Sequence, residues 1–275
     1  MFIGMRGHDF ETSNIADLAD RCNKYDVKRI QLALKKSVSD FEEGKFTPGY
    51  AEEIGSVLSK KGIEVSVLGC YINPSSTNRD ALEKELAFFE ENLHYAKYMP
   101  AKTVGLETGF VGHELNAEKN HTEEAYLYLL ENMKRLTRYA EKLGVNIAVE
   151  GVHLFVINSP KRMKRLLDDL NSPNLRVIFD PVNYINDENY MKQDEIIEEF
   201  FELLGDRCEV LHLKDFTLRD DKVSYAYPCT GMLNTRLIFK KLKQIKPDIP
   251  VMLEEVKEDM LEEVRNNVIR EWENA

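Results

Sequence analysis

The sequence predicts a (β/α)8 TIM barrel, a single domain over residues 1–275, and three observations predict it. Short apolar segments alternate with helix-patterned stretches from one end of the chain to the other. Eight such pairs fit within 275 residues. No linker, low-complexity segment or compositional break divides them. Strict alternation implies parallel strands that must be covered on both faces. Eight units in this length is the size of a closed barrel, with an open doubly wound sheet as the runner-up. No Gly-x-Gly-x-x-Gly follows the first strand, so dinucleotide binding has no support.

The elements follow in order. Phe2 to Arg6 reads as the first strand, and a helix from about Asn14 to Tyr25 follows it, capped by Ser13 or Asn14. Val27 to Leu34 is the second strand. Pro48 opens a helix that Gly62 ends. The β-branched run Ile63 to Gly69 is the third strand, and Arg79 to Tyr98 carries leucines and aromatics at helical spacing. Thr103 to Leu106 is the fourth strand, before a long amphipathic helix from Thr122 to Leu143 closed by Gly144. Strand and helix then alternate through Asn146 to Val149, Pro160 to Leu170, Leu175 to Phe179 and Gln193 to Leu204. Cys208 to Leu213, Asn234 to Ile245, Val251 to Leu253 and Glu258 to Trp272 complete the eight units.

Composition narrows the function. With 43% hydrophobic and 31% charged residues the chain is neither collagen-like nor disordered. A net charge of -11 with the signs interspersed repels nucleic acid and anionic lipid, so neither is expected as a partner. No apolar run is long enough to cross a bilayer, and no N-terminal stretch resembles a signal peptide. Cys22, Cys70, Cys208 and Cys229 form no C-x-x-C pair and read as small buried hydrophobes of a reduced, cytoplasmic protein.

Four apolar segments each end in a side chain able to ligate a metal: N-I-A-V-Glu150, R-V-I-F-Asp180, E-V-L-His212 and P-V-M-L-Glu254. In a parallel barrel, residues at the C-terminal ends of strands meet at one mouth. Any one of them could instead cap the next helix, but four after four successive strands are a poor coincidence of caps. Unpaired carboxylates there would be costly without a cation, and this O/N set suits a hard or borderline divalent ion. Glu254 rather than Glu255 is expected to face the mouth, because side chains alternate along a strand.

These residues carry a resemblance. A-V-Glu150-G, V-I-F-Asp180-P-V-Asn183, V-L-His212-L-Lys214-Asp215 and V-M-L-Glu254 resemble the xylose isomerase-like sugar phosphate isomerase/epimerase superfamily. That group includes ketose 3-epimerases, hydroxypyruvate isomerase and inosose dehydratase. Cys229-T-Gly231-M-L-Asn234 is similar to its G-x-G-x-x-D segment, with cysteine and asparagine at the first and last places. The resemblance implies a metal held by Glu150, Asp180, His212 and Glu254, the ion being manganese, magnesium, cobalt or zinc. It also implies that Glu150 and Glu254 double as proton-transfer groups. Asn183 stands where ketose epimerases often carry a histidine, three residues after the aspartate ligand, and is expected to bind substrate.

Other polar residues fall near the expected rim. His8 follows the first strand and Glu107 ends the fourth, and either could orient substrate hydroxyls or satisfy backbone groups instead. Gln31 and His153 are weaker candidates. Lys214 and Arg219 could neutralise oxyanion charge or hold a phosphate; an ion pair of the lysine with Asp215 or Asp180 is the competing reading. Lys35 and Lys36 are a fainter phosphate suggestion. His113 and His121 lie in the loop after the fourth strand, where a lid could form, while Tyr71, Phe110 and Tyr184 could wall off a sugar face.

The function expected is a divalent-metal-dependent isomerase or epimerase of a small sugar or sugar phosphate, a homo-oligomer being possible. Proton transfer would pass through a metal-stabilised enediolate. The alternative is a dehydratase acting on an inosose-like polyol with the same site. A repair endonuclease calls for a histidine-rich zinc cluster and a basic surface, against which six histidines in all and the charge of -11 both argue. A non-catalytic sugar-binding barrel would leave the ligand quartet without purpose.

Overall fold

The computed structural model describes residues 1–10, 12–112 and 114–275. Eight parallel strands close into a barrel: β1 (Phe2–Arg6), β2 (Arg29–Leu32), β3 (Glu64–Gly69), β4 (Thr103–Glu107), β5 (Asn146–Glu150), β6 (Leu175–Phe179), β7 (Cys208–Leu213) and β10 (Pro250–Leu253). The order is β1-β10-β7-β6-β5-β4-β3-β2, each strand beside its neighbour in the chain's barrel sequence. Helices α1 (Ile15–Lys24), α3 (Pro48–Lys60), α4 (Arg79–Tyr98), α6 (Glu123–Leu143), α7 (Pro160–Leu170), α8 (Gln193–Leu204), α9 (Thr235–Ile245) and α10 (Leu261–Asn274) follow those strands, with single turns α2 (Leu34–Ser37) and α5 (Ala117–Asn120) in loops. No helix among the described residues is long and apolar enough to cross a membrane.

Local chemistry starts and stops these helices. The side chains of Asn14, Thr47, Asn78, Thr122 and Ser159 each accept an early backbone N–H, supplying the partner that the first turn lacks. Gly144 closes α6 in the left-handed region, at φ 69°.

Two features depart from the expected element list. The second strand is shorter than Val27 to Leu34, because the chain turns at Ala33, whose carbonyl accepts the N–H groups of Lys36 and Ser37. After β7 a hairpin intervenes, β8 (Asp215–Arg219) paired antiparallel with β9 (Lys222–Ala226). Its two turn residues, Asp220 and Asp221, both lie at positive φ, the conformation of a type I′ turn, without the Asn-Gly or Asp-Gly pair that usually advertises one.

The interior of the barrel holds Val67, Ala148, Ile178, Val210 and Met252, all buried. Two glycines make the room. A Cβ on Gly105 would come 2.7 Å from Val67 Cγ1 and 2.9 Å from Ile178 Cδ1, and one on Gly4 would meet the end of Met252 at 2.6 Å. A larger, separate apolar layer lies between strands and helices; Phe200 of α8 stacks on Phe179 of β6 with ring centroids 3.6 Å apart. Cys22, Cys70 and Cys208 are free and buried, and Cys229 is free and half-buried.

Candidate active site

Strand periodicity builds the site. Residues two apart on a strand point to the same face. Two positions beyond the interior residues Gly4, Gly105, Ala148, Ile178, Val210 and Met252 stand Arg6, Glu107, Glu150, Asp180, His212 and Glu254. The apolar filling thus gives way to a polar layer at the C-terminal end of the barrel. Arg6 pairs in register with Gln31 and Glu107 with Glu150, while the β2–β3 and β6–β7 pairings each shift register once.

Glu150, Asp180, His212 and Glu254 come together there, all buried. Ligand atoms of Glu150, Asp180 and His212 lie within 4.8 Å of one another. His212 Nδ1 is 3.0 Å from Glu254 Oε1 and 3.4 Å from Glu150 Oε1. Neither approach has hydrogen-bond geometry: both ring nitrogens are buried without a partner among the described residues. Glu254 faces inward, its side chain 6% exposed, whereas that of Glu255 is 52% exposed and meets Arg6 at 3.0 Å.

Lys214, buried, points at Asp180 rather than Asp215. Its Nζ donates to Asp180 Oδ2, to Asn183 Oδ1 at 2.9 Å and to Glu254 Oε2 at 3.2 Å. Asn183 Nδ2 donates to Glu150 Oε1 at 2.8 Å. Asp180 Oδ1 accepts the N–H groups of Val182 at 3.0 Å and Asn183 at 3.2 Å. Asp215 instead holds a loop, accepting the N–H groups of Phe216, Gly231 and Leu233. In that loop Asn234 caps α9 through Leu237 N, a task at which asparagine and aspartate are equivalent.

The electrostatics follow from burial and crowding. Burial pushes the Asp180 carboxyl up to about 6 against the pull of Lys214, with Glu254 and Glu150 adding to the rise. Burial also opposes charge on Glu254, yet Lys214, then His212 and Arg6, hold its carboxyl well below the usual range. For His212, burial is outweighed by Glu150 and Glu254, and the imidazole rises to about 10. Glu107 is raised to about 7 by burial and by Glu150, with Lys214 and Lys36 opposing.

The other anticipated residues divide between mouth and periphery. His8 sits in a short 3-10 turn, Gly7–Asp9, with Nδ1 buried and unpartnered. Burial and the nearby charges of Arg6 and Lys36 lower it to about 4. Tyr71 accepts a hydrogen bond from Gln31 Nε2, and the Lys36 ammonium stands 4.2 Å from the centre of its ring. Lys35 turns away to Glu43. Arg219 is exposed at the hairpin turn, in register with Lys222, and is not brought to the quartet. His94 bonds Tyr139 on the helical layer, and His153 and His121 are joined through the His153 carbonyl in the loops after β4 and β5. Phe110 and Phe155 face each other in those same loops, while Tyr184 is buried in the outer apolar layer. His113 lies outside the described residues.

Two mouth residues escaped the reading of the sequence. Arg6 ends β1 as Glu150 ends β5, and lies 3.5 Å from Glu254 Oε2 while also binding Asp9. The same test, a charged residue closing an apolar strand, would have found it. Tyr225 of β9 places its ring 5.2 Å from Lys214 Nζ; only the hairpin brings it there, and no local signal marks it.

A carboxylate-rich buried set with one orphaned imidazole fits a divalent cation. Zinc and magnesium both suit such an O/N set, the harder ion leaning on the carboxylates.

Comparisons with known proteins agree on the fold. The profile of the family described as xylose isomerase-like TIM barrel matches residues 10–272. Among solved structures, a D-tagatose 3-epimerase-like protein superposes with TM-score 0.74 at 15% identity, covering 98% of this chain and 99% of its own. The IOLI protein with a bound zinc atom gives 0.73 at 16% identity, over 100% and 99% of the two chains. The probable 3-DHS dehydratase AsbF of Bacillus anthracis gives 0.74 at 12%, over 98% of each. At such identities these likenesses speak for the fold alone. No curated protein matches the sequence significantly.

Proposed function

The chain belongs to the xylose isomerase-like TIM barrel family, and from that premise we propose that it is a divalent-metal-dependent isomerase or epimerase of a small sugar or sugar phosphate. One observation carries the reading: three buried carboxylates converge on an imidazole that has no hydrogen-bond partner for either nitrogen. Buried polar atoms in native proteins are rarely left this way, and a cation between Glu150, Asp180 and His212, with Glu254 beside it, accounts for the convergence and for one of the two ring nitrogens. The zinc-bound IOLI protein and the epimerase-like neighbour are consistent with it.

Glu150, Asp180, His212 and Glu254 would hold the ion. When bound, a divalent cation supplies a Lewis acid that stabilises negative charge developing on a substrate oxygen. The proton chemistry belongs to the chain. Glu150 has one oxygen fixed by Asn183 Nδ2, which leaves Oε2 to take a proton from the carbon beside a carbonyl. Glu254, on the other side of His212, presents Oε1 inward while Lys214 and Arg6 engage Oε2. The carboxylate that takes a proton ends protonated, while the other, entering protonated, delivers its own to the neighbouring carbon or to the opposite face of the same carbon; proton exchange with solvent then resets the pair. His8, after β1, and Glu107, at the end of β4, would orient substrate hydroxyls.

A dehydratase shares the first proton abstraction, and the AsbF neighbour favours keeping it as the second reading. Solvent deuterium separates the two. With manganese present, an isomerase or epimerase labels one substrate carbon and changes the mass only by that label; a dehydratase releases water. Across a panel of ketoses, ketose phosphates and inososes, EDTA should abolish exchange and manganese restore it. Glu150→Gln and Glu254→Gln should each lower it by about 10²- to 10⁴-fold, the usual contribution of a positioned acid or base. Turnover that persists in the chelator refutes the reading.

A further inference from the structure

We propose that Lys214 and Asn183 serve the ion and not the substrate: together they tie the carboxylates of Glu150, Asp180 and Glu254 into one hydrogen-bonded frame that fixes the cation's position. The inference rests on the metal-dependent reading for the identity of the ligands, and goes beyond it in giving these two residues a positioning role. Lys214 leaves β7 and Asn183 lies in the turn after β6, yet the groups they hold come from β5, β6 and β10.

The donors are accounted for. An ammonium has three hydrogens, and Lys214 directs them to Asp180 Oδ2, Asn183 Oδ1 and Glu254 Oε2, leaving none for a sugar. The Asn183 amide is oriented without ambiguity, since its oxygen must face the ammonium and its NH2 group the Glu150 carboxylate. Each carboxylate oxygen has a second lone pair, so these bonds leave room for a cation. Charge points the same way: once the ion displaces the second proton of His212, three carboxylates against one lysine, a divalent ion and a neutral imidazole make a neutral set. Arg6 touches this set at Glu254 Oε2, and Asp9 balances its charge. Partners that orient metal ligands commonly affect affinity about 10- to 100-fold.

The test uses the full chain stripped with EDTA and titrated with Mn2+, read by calorimetry and by the Mn2+ electron paramagnetic resonance spectrum. Lys214→Met produces two effects of opposite sign. Removing a positive charge beside the ligands strengthens cation binding, while losing the frame weakens it. The proposal requires net weakening, by about 10- to 100-fold, with a broadened Mn2+ spectrum. Asn183→Ala removes part of the frame without altering charge and should weaken binding about tenfold. The double variant should lose less than the two single losses combined, because both act through one network. Thermal melts establish that each variant is folded; if Lys214→Met is not, Asn183→Ala decides alone. Unchanged or tighter Mn2+ binding in either folded variant overturns the proposal, as does an unchanged affinity with only a raised KM, the signature of substrate contact. A wild-type chain that binds no Mn2+ would bring down the metal reading itself and this inference with it.

Discussion

Replacing Asp215 should unfasten the loop between β9 and α9, and the cost follows from its hydrogen bonds. The carboxylate accepts N–H groups from Phe216 at 2.7 Å and from Gly231 and Leu233 at 2.8 Å each. Gly231 is exposed, so in Asp215→Ala its amide turns to water; Phe216 and Leu233 are buried and their donors are stranded. An unsatisfied buried donor costs about 1–3 kcal/mol, so the pair predicts a loss of about 2–6 kcal/mol. Asp215→Asn should lose less. It keeps one acceptor oxygen and removes a charge whose carboxyl burial pushes up, against the pull of the loop amides. Urea unfolding of the three proteins measures the losses, and hydrogen exchange locates them at the Gly231 and Leu233 amides. A loss below about 1 kcal/mol in Asp215→Ala, or wild-type protection of those amides, would refute the claim that this side chain anchors the loop.

Two further outcomes follow from burial and charge. Ile178→Ala empties part of the barrel interior between Val67, Ala148 and Met252 and should cost about 2–5 kcal/mol in urea unfolding, whereas Ile269→Ala on the exposed face of α10 should stay within about 0.5 kcal/mol. His8 is held near 4 by burial, Arg6 and Lys36, while the unfolded chain protonates near 6.5. The unfolded state therefore binds more protons between those values, so stability from the neutral imidazole is complete above about 6.5 and is lost as pH falls toward about 4. His8→Gln should flatten that slope, and an NMR titration of the imidazole that gives a midpoint above 6 would contradict the placement.

The fold was legible because barrel strands must be apolar on both faces and helices amphipathic, and both patterns survive in a single chain. Boundaries were less so. The end of the second strand depends on a turn at Ala33 that no glycine or proline announces, and the hairpin turns on Asp220 and Asp221, residues that tolerate positive φ without signalling it. Within the mouth, the end of an apolar strand was a sufficient marker for Glu150, Asp180, His212 and Glu254, because the residue two places earlier faces the interior. Arg6 obeys the same rule. Tyr225 obeys none, since its position depends on which way the hairpin folds over the barrel.

Taken alone, the sequence determined the eightfold alternation, the parallel strands and which side chains stand at strand ends, all consequences of local periodicity, while closure of the sheet separated the barrel from the open alternative. Tertiary structure decided the partnerships. Whether Lys214 pairs with Asp180 or with its own neighbour Asp215 is settled by how far β6 and β10 lie from the tip of an ammonium, and by three loop amides that already occupy Asp215. Residues adjacent in sequence on a strand point in opposite directions, so proximity along the chain says least about the contacts made across the barrel's mouth.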